Sequence, residues 1–195
     1  MIQIVKDSDT RPWFFLQTAH TTYGIRVMET GHLEHLYYGE RITVDAQDSA
    51  SCAPLVIQRA FAPGNTCTYD KEHPQISMED ICLEVGTLGK GDIREPFLEV
   101  RFTDGSVTSD FTFDSYKVIT LKEREQCLQD SGLPHSYSEA ETDSAECLQI
   151  VLQDVTNRLE LQLFYTVFEE CDVITRSARL INHNDATVTL DRCLS

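Results

Sequence analysis

No stretch of the 195 residues approaches the roughly 18 consecutive apolar residues that a membrane-crossing helix needs. The N-terminal run Met1-Ile2-Gln3-Ile4-Val5-Lys6-Asp7 lacks a basic region followed by an apolar one, so no secretory signal is read and a cytoplasmic location is expected. Basic residues are scarce. Sixteen Lys and Arg stand against 32 Asp and Glu, for a formal net charge of −16. Such a surface repels phosphate backbones and gains nothing from counterion release, so neither nucleic acid nor an anionic membrane is an expected partner. Neutral ligands such as sugars stay open, and solubility alone also explains the acidity.

Metal and disulfide spacings are missing as well. The cysteines, Cys52, Cys67, Cys82, Cys127, Cys147, Cys171 and Cys193, are odd in number and contain no C-x-x-C pair. Free and mostly buried thiols in a reducing compartment are expected instead. His32 and His35 are three apart, but no matching pair follows at zinc spacing, so no metal and no other cofactor is expected. There is no G-x-S-x-G elbow for a nucleophilic serine. The glycine-rich run Gly86-Thr87-Leu88-Gly89-Lys90-Gly91 matches neither phosphate-binding fingerprint, and a turn between two strands is its plainer reading. Carboxylates are plentiful, but none stands out as the pair that glycoside hydrolysis needs; Glu169 and Glu170 would face opposite ways in a strand. The residues by themselves thus single out no catalytic group.

What is present is alternation of period two, which puts successive side chains on opposite faces of a strand. Leu159–Leu163, Val173–Ile181 and Val188–Asp191 read as strands, and so do Phe14–Ala19, Tyr23–Glu29, Leu33–Tyr38 and Leu55–Phe61. Leu98–Thr103, the turn Asp104-Gly105 and Val107–Phe113 read as a hairpin. Leu121–Gln129 fits a short helix or a strand followed by a loop, while Ala62–Ile76 and Ser131–Ala145 read as loops. Strands that recur this often point to an antiparallel sandwich rather than to βαβ units. One domain over residues 1–195 is expected, incomplete at its C-terminal end. Trp13 is placed near a flexible start, and Tyr37 and Tyr38 divide between core and surface of one strand.

The most unusual segment runs from Ser77-Met78-Glu79-Asp80-Ile81-Cys82-Leu83-Glu84 to Gly89-Lys90-Gly91-Asp92-Ile93-Arg94-Glu95-Pro96. Glycines allow close backbone approach, and Asp92 and Arg94 share one face of an extended chain. Carboxylate and guanidinium together can hold sugar hydroxyls, or they can simply hold each other. This segment resembles the N-terminal signature of glycoside hydrolase family 36 α-galactosidases. Leu33-Glu34-His35-Leu36-Tyr37-Tyr38-Gly39 is similar to that family's early strand. Gly132-Leu133-Pro134, and Tyr165-Thr166-Val167-Phe168 with Asp172-Val173-Ile174-Thr175-Arg176, resemble two later landmarks.

The resemblance implies an all-β, antiparallel β-supersandwich of the galactose-mutarotase-like kind ahead of a (β/α)₈ barrel. It also implies retaining hydrolysis of terminal α-1,6-galactosides, of the melibiose and raffinose type, by two barrel aspartates. The nucleophile's Lys-Trp-Asp-like motif does not occur in this sequence. A homotetramer is implied too, in which a loop from this domain reaches a neighbour's sugar site. That loop matches Ser77–Arg94, with Glu79, Asp80, Ile81, Asp92 and Arg94 as candidates for substrate contact or interface. Cys82 stands where other members have proline. The alternatives are a free-standing carbohydrate-binding module, which would need an exposed aromatic platform, and a purely structural sandwich.

Overall fold

Alternating apolar side chains need a second surface to pack against. The computed structural model, which describes residues 1–7, 9–57, 67–128 and 145–194, supplies it by facing two antiparallel layers. In chain order the strands are β1 (Ile2–Lys6), β2 (Pro12–Gln17), β3 (Thr21–Val27), β4 (Leu33–Glu40), β5 (Leu98–Arg101), β6 (Thr112–Thr120), β7 (Glu146–Asp154), β8 (Leu159–Phe168), β9 (Val173–Asn182) and β10 (Thr189–Cys193). The helix α1 (Leu121–Leu128) follows β6. One layer is the meander β1-β2-β3-β4, the other is β6-β7-β8-β9, and β5 pairs with β10. Single bridges from Glu34 to Leu83 and from Thr87 to Leu98 carry the first layer sideways from β4, through residues 83–87, to β5.

Register decides what meets between the layers. Phe14 lies beside Ile4 and Ile25, and Leu16 beside Ile2 and Tyr23, on the inner face of the first layer. Opposite them run the rows Leu148–Tyr165, Ile150–Leu163 and Leu152–Leu161. These side chains form one core with Val27, Leu33, Leu98, Val100 and Phe111. Every residue of β2 is buried, because its outer face is covered as well. Val5, Trp13 and Phe15 pack there on Cys52, within a 3₁₀ turn at Ser49–Leu55. The Asp48 carboxylate caps that turn by accepting from Ala50 N at 3.0 Å. At one end the layers are clasped by Asp172, whose carboxylate accepts from Thr18 Oγ1 and from His20 N, both at 2.8 Å.

Several local expectations change. Leu98–Thr103 and Val107–Phe113 do not form a hairpin, because β5 pairs with β10 and β6 with β7. The Asp104-Gly105 turn exists, with Gly105 at φ +85°, but it connects strands that belong to different pairings. In the described part of Leu55–Phe61 the chain leaves the 3₁₀ turn without forming a strand. Trp13 is not at a flexible start. It is buried in β2 under the Arg26 guanidinium, 5.4 Å from the ring centroid. Glu169 and Glu170 lie beyond the end of β8 rather than within a strand. In the described part of Ala62–Ile76, Tyr69 and Ile76 do pack, joining Met28, Met78 and Ile81 in a small apolar cluster. Tyr38 is exposed, and Tyr37 is half-buried rather than in the core. Gly132-Leu133-Pro134 and the loop Ser131–Ala145, apart from Ala145, lie outside the described residues. None of the seven cysteines is in a disulfide, but they are not mostly buried: only Cys52 and Cys147 are, while Cys82, Cys171 and Cys193 are exposed.

Phe14 is fully buried and meets Tyr116 edge-on at 5.1 Å across the layers. Phe14→Ala is expected to lower stability by about 3–5 kcal/mol. Urea unfolding followed by circular dichroism checks this, and a loss under about 1 kcal/mol would mean that the layers do not meet at this ring.

Candidate functional site

The segment 77–94 leaves and rejoins the sandwich through backbone hydrogen bonds. At its first root His35 N donates to Cys82 O at 2.8 Å, and Glu84 N to Leu33 O at 2.9 Å. At its second root Phe97 N and Leu98 N both donate to Gly86 O, at 2.9 and 3.2 Å. Ahead of the first root a 3₁₀ turn at Met78–Asp80 drops Met78 into the small apolar cluster with Ile76 and Ile81.

The Asp92 and Arg94 side chains hold each other and the loop. Arg94 Nε and Nη2 donate to the two Asp92 oxygens at 2.8 and 3.0 Å. Arg94 Nη2 also donates to Met78 O at 3.0 Å and Ile81 O at 2.6 Å, which fastens the far side of the loop to the turn that carries Glu79 and Asp80. The Asp92 carboxylate beside it holds the Arg94 guanidinium above its ordinary pKa. The side chain next to this clamp, Ile93, is 82% exposed.

The glycine-rich stretch is built for close approach to its own protein. Gly89 has φ +95°, and a Cβ there would lie 2.4 Å from Thr108 Oγ1. Gly91 has φ +91°, and its Cβ would lie 2.9 Å from Cys67 Sγ. Lys90 between them reaches Asp110 Oδ2 at 3.0 Å. Tyr69 Oη donates to the same oxygen at 3.0 Å. His32 Nε2 lies 2.9 Å from Asp110 Oδ1, while His32 Nδ1 lies 2.9 Å from Thr30 Oγ1. A carboxylate only accepts, so Nε2 carries a proton toward Asp110, and the Thr30 hydroxyl is the hydrogen-bond partner of Nδ1. Burial alone would raise the Asp110 pKa, but His32 and Lys90 override it and hold it at about 2.

Under the roots lies the most enclosed charge cluster of the site. The Glu84 side chain is 3% exposed. Tyr165 Oη donates to its Oε1 at 2.6 Å and Tyr23 Oη to its Oε2 at 2.8 Å. Arg176 Nη1 sits 3.3 Å from Oε1, and Arg176 Nη2 donates to the Glu84 carbonyl at 2.9 Å. His35 Nδ1 stays 3.8 Å from Oε2, too far for a hydrogen bond. Burial, then the Glu84 charge, pushes both tyrosine hydroxyls well above their ordinary pKa, so both remain donors.

Of the residues singled out in the sequence, Asp92 and Arg94 come together as a pair, and Arg94 brings the carbonyls flanking Glu79 and Asp80 to them. Glu79 is half-buried and Asp80 exposed, whereas Ile81 is buried in the apolar cluster. Sequence reasoning does not bring Glu84, Tyr23, Tyr165 and Arg176 together. The signal for Arg176 is its register. It shares the inward face of β9 with Ile174 and Ala178, where a charge demands a buried partner. Among the described residues, no group of three or more His, Cys, Asp or Glu side chains is placed to hold a metal ion.

Two measurements test this geometry. Gly105 has φ +85° but nothing within 4 Å of the point where a Cβ would stand, so Gly105→Ala meets only backbone strain, worth about 1 kcal/mol. Gly89→Ala adds the clash with Thr108 and is expected to cost at least about twice as much in urea unfolding; equal losses would mean that Gly89 does not touch Thr108. For Asp110 the folded pKa lies below the ordinary 3.8, so the unfolded chain takes up the proton first. Its contribution to stability is present above about pH 4 and is lost as pH falls toward about 2. Stability should therefore fall more steeply from about pH 4 to about pH 2 in the native sequence than in Asp110→Asn, and parallel declines would remove the assignment.

Known proteins match this arrangement along most of the chain. The family model of the glycosyl hydrolase family 36 N-terminal domain matches residues 31–195. A bifunctional α-galactosidase/sucrose kinase from Mediterraneibacter gnavus is 35% identical over 180 residues, which is 92% of this chain and 18% of that protein. The α-galactosidase AgaA of Geobacillus stearothermophilus is 32% identical over 182 residues, 93% of this chain and 23% of that one. The crystal structure of the family 36 α-galactosidase AgaB from the same organism is similar with a TM-score of 0.79 at 26% identity, over 98% of this chain and 24% of that one. The chain thus spans about a quarter or less of the length of these relatives.

Proposed function

Because the chain belongs to the glycosyl hydrolase family 36 N-terminal domain family, we propose that it is the non-catalytic sandwich of an α-galactosidase, joined in the whole enzyme to a (β/α)₈ barrel that carries the reacting carboxylates. The family match over residues 31–195 is the observation that carries this reading. The whole enzyme hydrolyses terminal α-1,6-galactosides of the melibiose and raffinose type in the cytoplasm. The 195 residues form one domain of it. The sandwich supports the barrel and the assembly of a homotetramer. Its 77–94 loop, with Glu79, Asp80, Ile81, Asp92 and Arg94, helps shape a neighbouring subunit's sugar site. Support for the loop's part comes from its construction: Arg94 stiffens it from inside, Ile93 stands out at 82% exposure, and Asp80 faces solvent. A free-standing carbohydrate-binding module is disfavoured because the one tryptophan, Trp13, is buried.

The test is turnover of p-nitrophenyl α-galactoside and melibiose by the purified chain, alone and joined to a barrel. No turnover is expected from the chain alone, and turnover by a tetramer from the joined polypeptide. Hydrolysis by the 195 residues themselves, or an inactive joined polypeptide, overturns the reading.

A further inference from the structure

Both roots of the 77–94 loop are gripped by one guanidinium from the opposite layer. Arg176, on β9, donates through Nη2 to the Glu84 carbonyl at 2.9 Å and brings Nη1 to 3.3 Å from the Glu84 carboxylate. These contacts fix the first root. Its plane also lies over the Phe97 ring, with Cζ 4.5 Å from the centroid, and Phe97 N is the donor that closes the second root on Gly86 O. Arg176 is itself held from behind, since its cross-strand partner Tyr165 donates to Glu84 and lies 5.7 Å under the guanidinium. The loop carries its own internal clamp at Arg94, which ties the turn bearing Glu79 and Asp80 to Asp92. The contacts of Arg176 at Glu84 and Phe97 join this clamped loop to the opposite layer.

We propose that Arg176 is a positioning residue: acting through Glu84 and Phe97, it sets the pose in which the 77–94 loop is presented to a sugar site. The proposal rests on the reading that this loop contributes to galactoside binding. Arg176 touches no substrate in this role. A lysine keeps the charge beside Glu84 but loses the planar fork that spans carbonyl and carboxylate and the flat face that stacks on Phe97.

The experiment compares Arg176→Lys with the parent sequence in the α-galactosidase that carries this chain, using p-nitrophenyl α-galactoside and hydrogen exchange. The expected result is a KM raised about tenfold with kcat within about twofold, as misplacement of a binding element gives. Amide exchange at Glu84, Phe97 and Leu98 should be about tenfold faster, with β7 and β8 unchanged. Unchanged KM overturns the proposal, whether or not the loop exchanges faster. So does equal loosening of β7 and β8, which would make Arg176 an ordinary fold residue. The double variant Glu79→Gln, Asp80→Asn separates the two levels. A raised KM there with a normal Arg176→Lys defeats only the positioning role, whereas an unchanged KM in the double variant defeats the loop reading beneath it.

Discussion

A carboxylate enclosed between two apolar layers is tolerated only when its lost water is replaced donor for donor, and Glu84 is placed where both layers can supply those donors. Tyr23 comes from the first layer, Tyr165 and Arg176 from the second. Taking away one partner of such a group typically costs about 3–5 kcal/mol, because a charge is left buried without compensation. The cluster thus acts as a registry device. Apolar rows such as Leu148, Ile150 and Leu152 would tolerate small sliding of one layer over the other, but four polar groups meeting at 2.6–3.3 Å do not. Because Glu84 also ends the first root of the 77–94 loop, the same contact that aligns the layers fixes where the loop begins.

The loop is then held by constraints of a different kind. Its apolar side, Ile76, Met78 and Ile81, is buried against Met28, and its glycine-rich side lies flush on Thr108 and Cys67. Between them Lys90 and His32 meet on Asp110, whose amide nitrogen donates to Asp154 at 2.9 Å. An exposed Asp–Arg pair alone contributes little. Arg94 does more than pair, because its Nη2 also donates to two carbonyls on the far side of the loop. Glycine and ion pair, for which the sequence leaves ligand contact and plain structure both open, are thus used to give the loop one shape.

The architecture is legible in the sequence through period two, and the strands most visible there are those with one wet face. Leu159–Leu163 alternates cleanly, and β8 contains it. β7 leaves no such trace: Cys147 and Gln149 are buried on its outer face near α1, so the alternation is blurred by polar groups that are not in water. β2 begins at Pro12, ahead of the Phe14 start that the pattern suggests, because it is buried on both sides and has no period to read. The hairpin expected at Asp104-Gly105 fails for a topological reason. A turn signal reports local backbone geometry, and here the flanking strands find their partners far along the chain, in β10 and β7. The Glu84 cluster is hidden for a related reason, since its members come from three distant segments, β3, the stretch at Glu84 and the β8–β9 pair, and only the fold brings them together.

Such a division of labour follows from what each kind of structure can do. A loop that must keep one shape at a distance from its domain needs an internal fastener, which Arg94 provides, and a stiff base, which the loop cannot provide for itself. Packed antiparallel layers are stiff because every core side chain is braced by its neighbours. Stiffness reaches the loop where layer and loop are in contact, and at the two roots such contacts include the Glu84 carbonyl, the Gly86 carbonyl and the Phe97 ring. Arg176 touches the first and last of these and stands in the layer opposite the one the loop leaves. The loop's direction is therefore tied to the alignment of the whole sandwich rather than to any single strand.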